Sequence, residues 1–359
     1  MLEQAVRDRV FPGCAFAVLL PGESEPSPVS AQAIGRFTYD PDSPRVERDT
    51  VFDLASLTKV LTTTMAVMRL YDRQQFALDA PITEWLQEFA GTNPRDTRRS
   101  HVTLRMLLDH SSGLPGYMRL FESAHNRNAM LKACLRQPLT ADPGTRAEYS
   151  DIGFIILGHL VEKLTGERLD SYCRREIFEP LGMHTTQFCP DRVIRSSMPP
   201  TENDGAFRQR IIQGEVQDEN AFVMDGVAGH AGLFSNALDP LRVARCILAS
   251  GVAPSGVQLF STKTAALFAT RSGEPPGTSR ALGWDTPSMP SSSGRFFSQR
   301  SIGHLGYAGT SLWIDLDAGI AVTLLTNRTW PDRSNQAIRE LRPRFHDTLR
   351  RELTADQKS

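Results

Sequence analysis

Cysteine is scarce in this sequence: the 359 residues include five, and no two of them form a C-x-x-C pair. Scattered cysteines do not make a disulfide framework or a thiolate metal site, so we expect free, buried thiols. Long apolar runs are also missing, because the most apolar stretch, 153–161, falls well short of the ~18 residues that a membrane span needs. We therefore expect no membrane span, no metal and no cofactor.

The chain also lacks an excess of charge of either sign. The chain has 40 Lys+Arg against 41 Asp+Glu and no strong basic run. This balance argues against nucleic acid or an anionic membrane surface as the main partner. The N-terminus lacks the charged region and apolar stretch of an export signal, so we expect a cytoplasmic protein as the sequence stands, or a periplasmic or extracellular one if a leader was trimmed. Nothing in the sequence indicates an oligomeric state.

The pattern of apolar and turn-forming residues predicts an α/β (α+β) chain with strands at both ends and helices between them. A length above the ~250–300 residues at which single cores stop growing favours two lobes, or one elaborated domain with a large insertion. We expect one unit over 1–359, with an antiparallel sheet lobe from about 1–55 and 250–359 and a mainly helical lobe from about 56–249. The predicted strands are 14–21, 31–39, 311–315 and 319–326, and the predicted helices are 57–75, 103–110, 128–136, 151–165, 169–178, 238–250 and 332–352. The weakly periodic stretch 190–226 is expected to be a long surface excursion.

The sharpest local signal is Ser56-Leu57-Thr58-Lys59, a Ser-x-x-Lys at the start of the helix predicted over 57–75. The i, i+3 spacing puts the hydroxyl and the ammonium on one helical face. A Ser hydroxyl becomes a good nucleophile when a neighbouring base takes its proton, and a Lys does so only if its pKa is lowered. Taken alone, the motif favours a Ser-capped helix with a solvated lysine, because both residues are common there.

Other segments supply further candidates. Tyr149 precedes the helix predicted over 151–165 and can serve as a second general base or proton relay. The stretch 303–309, GHLGYAG, has glycines that let a substrate approach the backbone and use an N–H as an oxyanion donor. His230, in a Gly-rich stretch, either lines a site or is a hydrogen-bonded structural residue. The acidic stretch 218–220 either binds a cation or substrate or, as we expect, is a solvated loop.

Together these elements resemble the serine β-lactamase and penicillin-binding-protein superfamily, specifically its class C-like branch of β-lactamase-related hydrolases, which includes esterases and D-amino-acid peptidases. The resemblance covers most of the chain, because its segments follow one another in family order. They are FDLASLTK (52–59), VTLRMLLDHSSGLPGY (102–117), PGTRAEYSDIGFIILGHLVEKLTG (143–166), FEPLGMHTT (178–186), GVAGHAGLFS (226–235), LGWDTPS (282–288) and IGHLGYAGTSLWID (302–315). The resemblance implies a β-lactamase/transpeptidase-like fold, in which a sheet flanked by helices and a helical lobe enclose the site.

The same resemblance implies a role for each motif residue. Ser56 would be the acylated nucleophile, Lys59 its general base partner and Tyr149 a proton shuttle. The backbone N–H groups of Ser56 and Tyr307 would form the oxyanion hole. The remaining candidates, all for substrate binding, are Asp151, His304, Gly306 and His230.

Two motifs depart from the superfamily's pattern. Its second motif is usually Tyr-x-Asn, whereas this chain has Asp151, and an ionised Asp accepts hydrogen bonds but cannot donate one to a substrate carbonyl. Its third motif is typically Lys-Thr-Gly or Lys-Ser-Gly, which hold a substrate carboxylate, whereas this chain has His304 and Leu305. Both departures argue against a penicillin or cephalosporin as the natural substrate.

The sequence therefore predicts a serine hydrolase that forms an acyl-enzyme with a small ester, amide or peptide substrate, as a carboxylesterase or D-Ala-type peptidase does. One alternative is a β-lactamase of weak activity. Another is a catalytically silent module that binds peptidoglycan-like peptides. Asp151 motivates this second alternative, since a carboxylate beside Lys59 would keep the ammonium charged and suppress its action as a base.

Overall fold

The computed structural model describes residues 1–23, 26, 30–91 and 96–356. Its strands are β1 Gly13–Leu19, β2 Ala31–Gly35, β3 Phe52–Asp53, β4 Gln187–Phe188, β5 Pro200–Asp204, β6 Arg210–Gln213, β7 Leu233–Ser235, β8 Ile302–Leu305, β9 Ser311–Asp315 and β10 Ile320–Thr326. Its α-helices are α1 Leu2–Arg7, α2 Met65–Asp72, α3 Leu104–Leu108, α4 Arg127–Leu135, α5 Asp151–Thr165, α6 Leu169–Cys173, α7 Glu179–Leu181, α8 Glu219–Val223, α9 Asp239–Leu248, α10 Thr262–Ala269 and α11 Ile338–Asp356. Two π-helical segments, Lys59–Thr64 and Arg174–Phe178, lead into α2 and α7. No helix in these ranges is long and apolar enough to cross a bilayer.

An antiparallel sheet in the order β2-β1-β10-β9-β8 brings the two ends of the chain together. In its centre β1 pairs with β10, and Phe16 lies opposite Leu324. Neighbouring side chains of a strand point to opposite faces. Ala15 of β1 therefore joins the main core, whereas Cys14 packs with residues of α1 and α11 on the other face. The sheet is thus covered by helices on both sides.

The fold class predicted from the sequence is confirmed, since the molecule is a mixed α/β protein with antiparallel sheets. The predicted helices and terminal strands are present with bounds shifted by a few residues. The largest shift is in the last helix, because α11 begins at Ile338 rather than at 332. The guanidinium of Arg328 binds the carbonyl oxygens of Arg333 and Asn335, which holds this stretch as a loop ahead of the helix.

The prediction of a long surface excursion over 190–226 is wrong. This stretch contains the hairpin of β5 and β6 and the helix α8, and Met198 and Ile212 within it are buried. Its periodicity is weak because the elements are short and because some of its buried residues are polar. Glu202, for example, is buried against the guanidinium of Arg333.

The cysteines are free, as predicted, but not all of them are buried. Cys189 is exposed, so the prediction of a buried thiol is wrong for this residue. It follows β4 directly, in a turn where its φ is 47°. The buried thiols are those of Cys14, Cys134, Cys173 and Cys246.

Helix α5 and the Gly-rich segment 226–232 touch backbone to backbone. A Cβ on Gly158 would lie 2.8 Å from the Cα of Gly229, and a Cβ on Gly229 would lie 2.1 Å from the carbonyl oxygen of Phe154. Glycine at both positions makes this approach possible. The contact sets the position of the next residue, His230, whose carbonyl oxygen reaches the lysine of the Ser-x-x-Lys motif.

We expect Gly158→Ala to lower the free energy of unfolding by about 1–3 kcal/mol, because the added methyl group forces α5 away from the segment 226–232. Gly205→Ala is the matched control, since a Cβ at Gly205 meets no atom within 4 Å. Thermal unfolding followed by circular dichroism measures both. A lower Tm is expected for Gly158→Ala alone, and equal Tm values for the two variants would contradict the backbone contact.

Candidate active site

A cavity of about 720 Å³ opens where the turn after β3, the start of α5 and the end of β8 meet. The predicted site residues that line it are Ser56, Tyr149, Asp151, His304, Gly306 and Tyr307. Lys59 lies beneath this surface with no exposed side-chain area. The structure therefore brings together motifs that are far apart in the sequence.

Ser56 and Lys59 form the centre of the site. The Lys59 Nζ donates to Ser56 Oγ at 2.9 Å, to Asp151 Oδ1 at 2.6 Å and to the His230 carbonyl oxygen at 3.2 Å. The simple interpretation of a capped helix with a solvated lysine is therefore wrong. Lys59 is buried, and among the described residues the Ser56 hydroxyl accepts from Lys59 Nζ rather than from a backbone N–H of the helix.

The turn that carries Ser56 has a strained backbone. Ala55 has a φ of 48°, in the left-handed region that a residue with a Cβ rarely adopts. The Asp53 carboxylate accepts the N–H of Ala55 at 2.8 Å and the N–H of Gln217 at 2.8 Å. Burial, opposed by these hydrogen bonds, raises the pKa of Asp53 to about 6. Asp53, which sequence reasoning missed, thus holds the strained turn in place.

Opposite charge outweighs burial at Lys59. Burial alone disfavours the ammonium form, but the Asp151 carboxylate and the Tyr149 hydroxyl favour it, and the pKa of Lys59 is raised as a result. The resting form of Lys59 is therefore the ammonium. The neutral amine, which can take a proton from Ser56, is a minor form at pH 7.

Tyr149 packs against the lysine and between two histidines. The Lys59 Nζ lies 4.8 Å from the centroid of its ring, and the rings of His110 and His304 lie at 4.8 and 5.8 Å. Burial raises the pKa of Tyr149 although the Lys59 charge opposes it, so the phenol is protonated at pH 7. Hydrogen bonding to Lys59 and Ser56 also acts towards a lower pKa of Tyr149, against burial. This position suits a group that passes a proton between them.

Two unengaged backbone donors face the site. In the part of the chain that the structure describes, the N–H groups of Ser56 and Tyr307 donate no hydrogen bond. Gly306 brings their two loops together, because a Cβ there would lie 2.6 Å from the Leu54 carbonyl oxygen. Thr310 Oγ1 also donates to that oxygen, at 2.9 Å. The loops that carry the two donors are thus joined directly to each other.

His304 faces the cavity as a neutral imidazole. Burial, together with the charges of Lys59 and Arg280, lowers its pKa well below the usual value. Its Nδ1 lies 2.8 Å from the Leu305 carbonyl oxygen, so this nitrogen carries the proton. Its Nε2 is buried and has no partner among the described residues. His304 therefore brings no positive charge to the position where the superfamily's typical motif has a lysine.

The ring of His230 is not among the groups that line the cavity. It is 1% exposed, and its Nε2 lies 2.9 Å from Asp218 Oδ1. Asp218 itself lines the cavity and accepts the N–H of Ala221 at the start of α8. Burial opposes the ionisation of Asp218, but His230 and this N–H lower its pKa to about 2. The expected solvated loop at 218–220 is wrong, since Asn220 is completely buried.

Arginines supply the positive charge of the cavity, and local sequence gave no sign of them. The Arg280 guanidinium lies 5.3 Å from the centroid of the Tyr149 ring and pairs with Asp285 at 2.5 Å. The other arginines that line the cavity are Arg328, Arg333, Arg339 and Arg342. They come from turn-rich and C-terminal segments, and only the tertiary fold places them near Ser56.

The described residues contain no group of three or more His, Cys, Asp or Glu side chains that could hold a metal ion. A Ser hydroxyl bonded to a buried Lys, beside two free backbone N–H groups on an α/β fold, is the arrangement of a serine hydrolase that works through an acyl-enzyme. The model of the Beta-lactamase family matches residues 1–343. The chain belongs to this family, and it is a serine hydrolase of the serine β-lactamase and penicillin-binding-protein superfamily.

Curated relatives agree with this assignment, and solved structures agree with the fold. The chain is 35% identical over 309 residues to the N-acetylmuramyl-L-alanine amidase of Bacillus subtilis (strain 168), covering 79% of this chain and 69% of that protein. It is 34% identical over 306 residues to a putative D-alanyl-D-alanine carboxypeptidase of Escherichia coli O157:H7, covering 78% and 69%. Its fold is similar to that of a mutant of simvastatin synthase from Aspergillus terreus, with a TM-score of 0.74, 21% identity and coverage of 98% and 93%. It is also similar to the hydrolase EstCE1, with a TM-score of 0.71, 22% identity and coverage of 95% and 96%.

Proposed function

We propose that this hydrolase cleaves an amide bond at an alanine residue of peptidoglycan-like peptides, with Ser56 as the nucleophile. The observation that carries the proposal is the hydrogen bond of 2.9 Å between the buried Lys59 Nζ and Ser56 Oγ at the base of a substrate-sized cavity. The cavity bears charged side chains of both signs, among them Asp218 and Arg280. Such a lining suits a peptide with charged groups better than an apolar ester.

The chemistry follows from the positions of the side chains. In the reactive form Lys59 is a neutral amine, which takes the proton of Ser56 as Oγ attacks the substrate carbonyl carbon. The N–H groups of Ser56 and Tyr307 bind the resulting oxyanion. When the tetrahedral intermediate collapses, the C–N bond breaks and the leaving amine takes a proton from Lys59 through the Tyr149 hydroxyl. Water then hydrolyses the acyl-enzyme by the same proton transfers in reverse.

The relatives support the choice of bond. The name N-acetylmuramyl-L-alanine amidase denotes cleavage of an amide formed by L-alanine, and D-alanyl-D-alanine carboxypeptidase denotes cleavage between two D-alanines. Asp151, whose side chain is partly exposed, presents a carboxylate acceptor to the cavity. This acceptor favours a substrate with an N–H or O–H group beside the scissile bond.

A substrate panel tests the proposal. We expect the wild type to hydrolyse N-acetylmuramyl-L-alanine or a peptide ending in D-alanyl-D-alanine. We also expect it to cleave a short-chain p-nitrophenyl ester, because the same acyl chemistry applies to activated esters. Turnover of a chromogenic cephalosporin should be far slower, because His304 and Leu305 do not supply the cation and hydroxyl that hold its carboxylate.

Ser56→Ala is measured in parallel on every compound. Hydrolysis of the esters and cephalosporin alone, with both amide substrates left intact by folded protein, would overturn the amidase proposal. Cephalosporin turnover equal to ester turnover would instead support the β-lactamase alternative. Binding of the peptides without any turnover would support the silent module.

A further inference from the structure

Arg342, on helix α11, is a buried cation directly behind the proposed oxyanion hole. The residue is 6% exposed, and one terminal nitrogen donates to the carbonyl oxygens of Gly306 at 2.9 Å and Thr310 at 3.0 Å. Among the described residues it forms no ion pair with a carboxylate. Its known partners are therefore main-chain oxygens of the loop that carries the Tyr307 N–H.

The peptide unit between Gly306 and Tyr307 links this cation to the substrate. In a trans peptide the C=O and the N–H point in opposite directions. Arg342 binds the oxygen of this unit, so the N–H of Tyr307 lies at the other end of the same dipole. A donor on the carbonyl polarises the peptide and strengthens the hydrogen bond that its N–H donates, by roughly 10–30% per bond. Positive charge on Arg342 therefore favours negative charge at the N–H end.

The cost of this arrangement argues for a role in the reaction. A buried charge without a counter-ion is unfavourable, and a neutral donor would serve the two carbonyl groups at a smaller cost. Burial, followed by the charges of Arg328 and Arg339, lowers the pKa of Arg342 to about 9, so it is still a cation at pH 7. The cost is offset when an oxyanion forms nearby, because a fixed positive charge in a water-poor site stabilises it without reorganisation.

We propose that Arg342 is a positioning residue of the oxyanion hole, which fixes and polarises the Gly306–Tyr307 peptide so that the Tyr307 N–H binds the tetrahedral intermediate more strongly than the substrate. This inference rests on the proposed function, because it assigns the oxyanion to the N–H groups of Ser56 and Tyr307. It does not depend on which amide or ester is the natural substrate. Arg328 holds the next carbonyl, that of Tyr307, at 2.8 Å, but this oxygen belongs to a different peptide unit.

The test compares Arg342→Met, Arg342→Lys and Arg344→Gln in the full chain. Arg344 lies on the same helix with an exposed side chain and serves as the matched control. We expect Arg342→Met to lower kcat for a p-nitrophenyl ester by about tenfold with little change in KM, because direct removal of an oxyanion donor costs about 10²–10³-fold and Arg342 acts through the peptide. Arg342→Lys should recover part of the loss, since it restores a cation. Arg344→Gln should match the wild type.

A second readout uses an arylboronic acid, which binds Ser56 Oγ reversibly, becomes tetrahedral and places an oxygen in the oxyanion hole. Its Ki should rise for Arg342→Met in proportion to the loss of kcat/KM, whereas a purely structural change would lower Tm without this proportionality. A folded Arg342→Met protein with kcat and Ki within twofold of the wild type would overturn the proposal. A change in KM alone would also overturn it, because that result indicates ground-state binding.

The two proposals fail in different ways. The boronate measures the oxyanion hole whether or not the peptides are cleaved, so the absence of amide hydrolysis would count against the proposed substrate only. Loss of boronate binding in Ser56→Ala would confirm that the boronate binds at Ser56. If Ser56→Ala abolishes hydrolysis and Arg342→Met leaves both kcat and Ki unchanged, the proposed function stands and the role of Arg342 does not.

Discussion

Ser56→Ala is expected to abolish hydrolysis, with a loss in kcat on the order of 10⁴-fold or more, as is usual when the nucleophile of an acyl-enzyme mechanism is removed. The alanine keeps the backbone N–H that we propose for the oxyanion hole but removes the oxygen that we propose as the nucleophile. The Lys59 Nζ loses one of its three acceptors and retains Asp151 and the His230 carbonyl oxygen. The variant should therefore fold like the wild type, with a similar Tm.

Intact-protein mass spectrometry after mixing with a p-nitrophenyl ester provides the direct measurement. We expect the wild type to gain the mass of one acyl group and Ser56→Ala to gain none. Ser292→Ala is the matched control, because Ser292 lines the same cavity and has no assigned role in the chemistry. It should acylate at the wild-type rate. A Ser56→Ala protein that still forms the adduct would show that the nucleophile is elsewhere.

Local spacing predicted that Ser56 and Lys59 share a helical face, whereas their assignment to one site came from the resemblance. Residues three apart at the start of a helix share a face, and Lys59 Nζ indeed reaches Ser56 Oγ at 2.9 Å. The concern that Asp151 would meet Lys59 is also confirmed, with a separation of 2.6 Å between charged atoms. This second contact spans 92 residues. This contact could be predicted only because the resemblance places the two motifs in one site.

The groups that sequence reasoning missed depend on tertiary packing. Asp53 precedes the motif by three residues, but its carboxylate matters only because the turn at Ala55 leaves an N–H for it to bind. Arg280 and Arg342 lie in segments whose local patterns are those of a turn-rich loop and a surface helix. Their position beside the cavity follows from how β8 and α11 pack. Local patterns of residues do not predict this packing.

The Lys59–Asp151 pair decides how the enzyme responds to pH. Asp151 raises the pKa of Lys59, so the neutral amine, which we propose as the acceptor of the Ser56 proton, becomes more populated only as pH rises. Below the pKa its fraction falls tenfold for each pH unit. We therefore expect kcat/KM of the wild type to increase steadily from neutral to alkaline pH.

Asp151→Asn should shift this profile to lower pH. The asparagine removes the main charge that favours the ammonium, and burial, which is the largest single influence on Lys59, then lowers its pKa. An opposite charge at this distance changes a pKa by about 1–3 units, so a fall of about two units would raise ester hydrolysis at pH 6 by roughly 100-fold. The same variant restores the Tyr-x-Asn pattern of the superfamily, whose amide can donate to a substrate carbonyl.

A pH series of kcat/KM for the wild type, Asp151→Asn and Asp285→Asn checks this expectation. Asp285 also lines the cavity but pairs with Arg280, so its substitution should leave the acidic limb of the profile in place. An unchanged acidic limb in Asp151→Asn would show that Lys59 is not the group whose deprotonation controls the rate. A loss of activity across the whole pH range, in folded protein, would instead show that Asp151 takes part in the reaction itself, as the acceptor of the proton that Lys59 receives from Ser56. A gain at low pH means that this carboxylate holds the lysine in its inactive form and sets the pH at which the enzyme works.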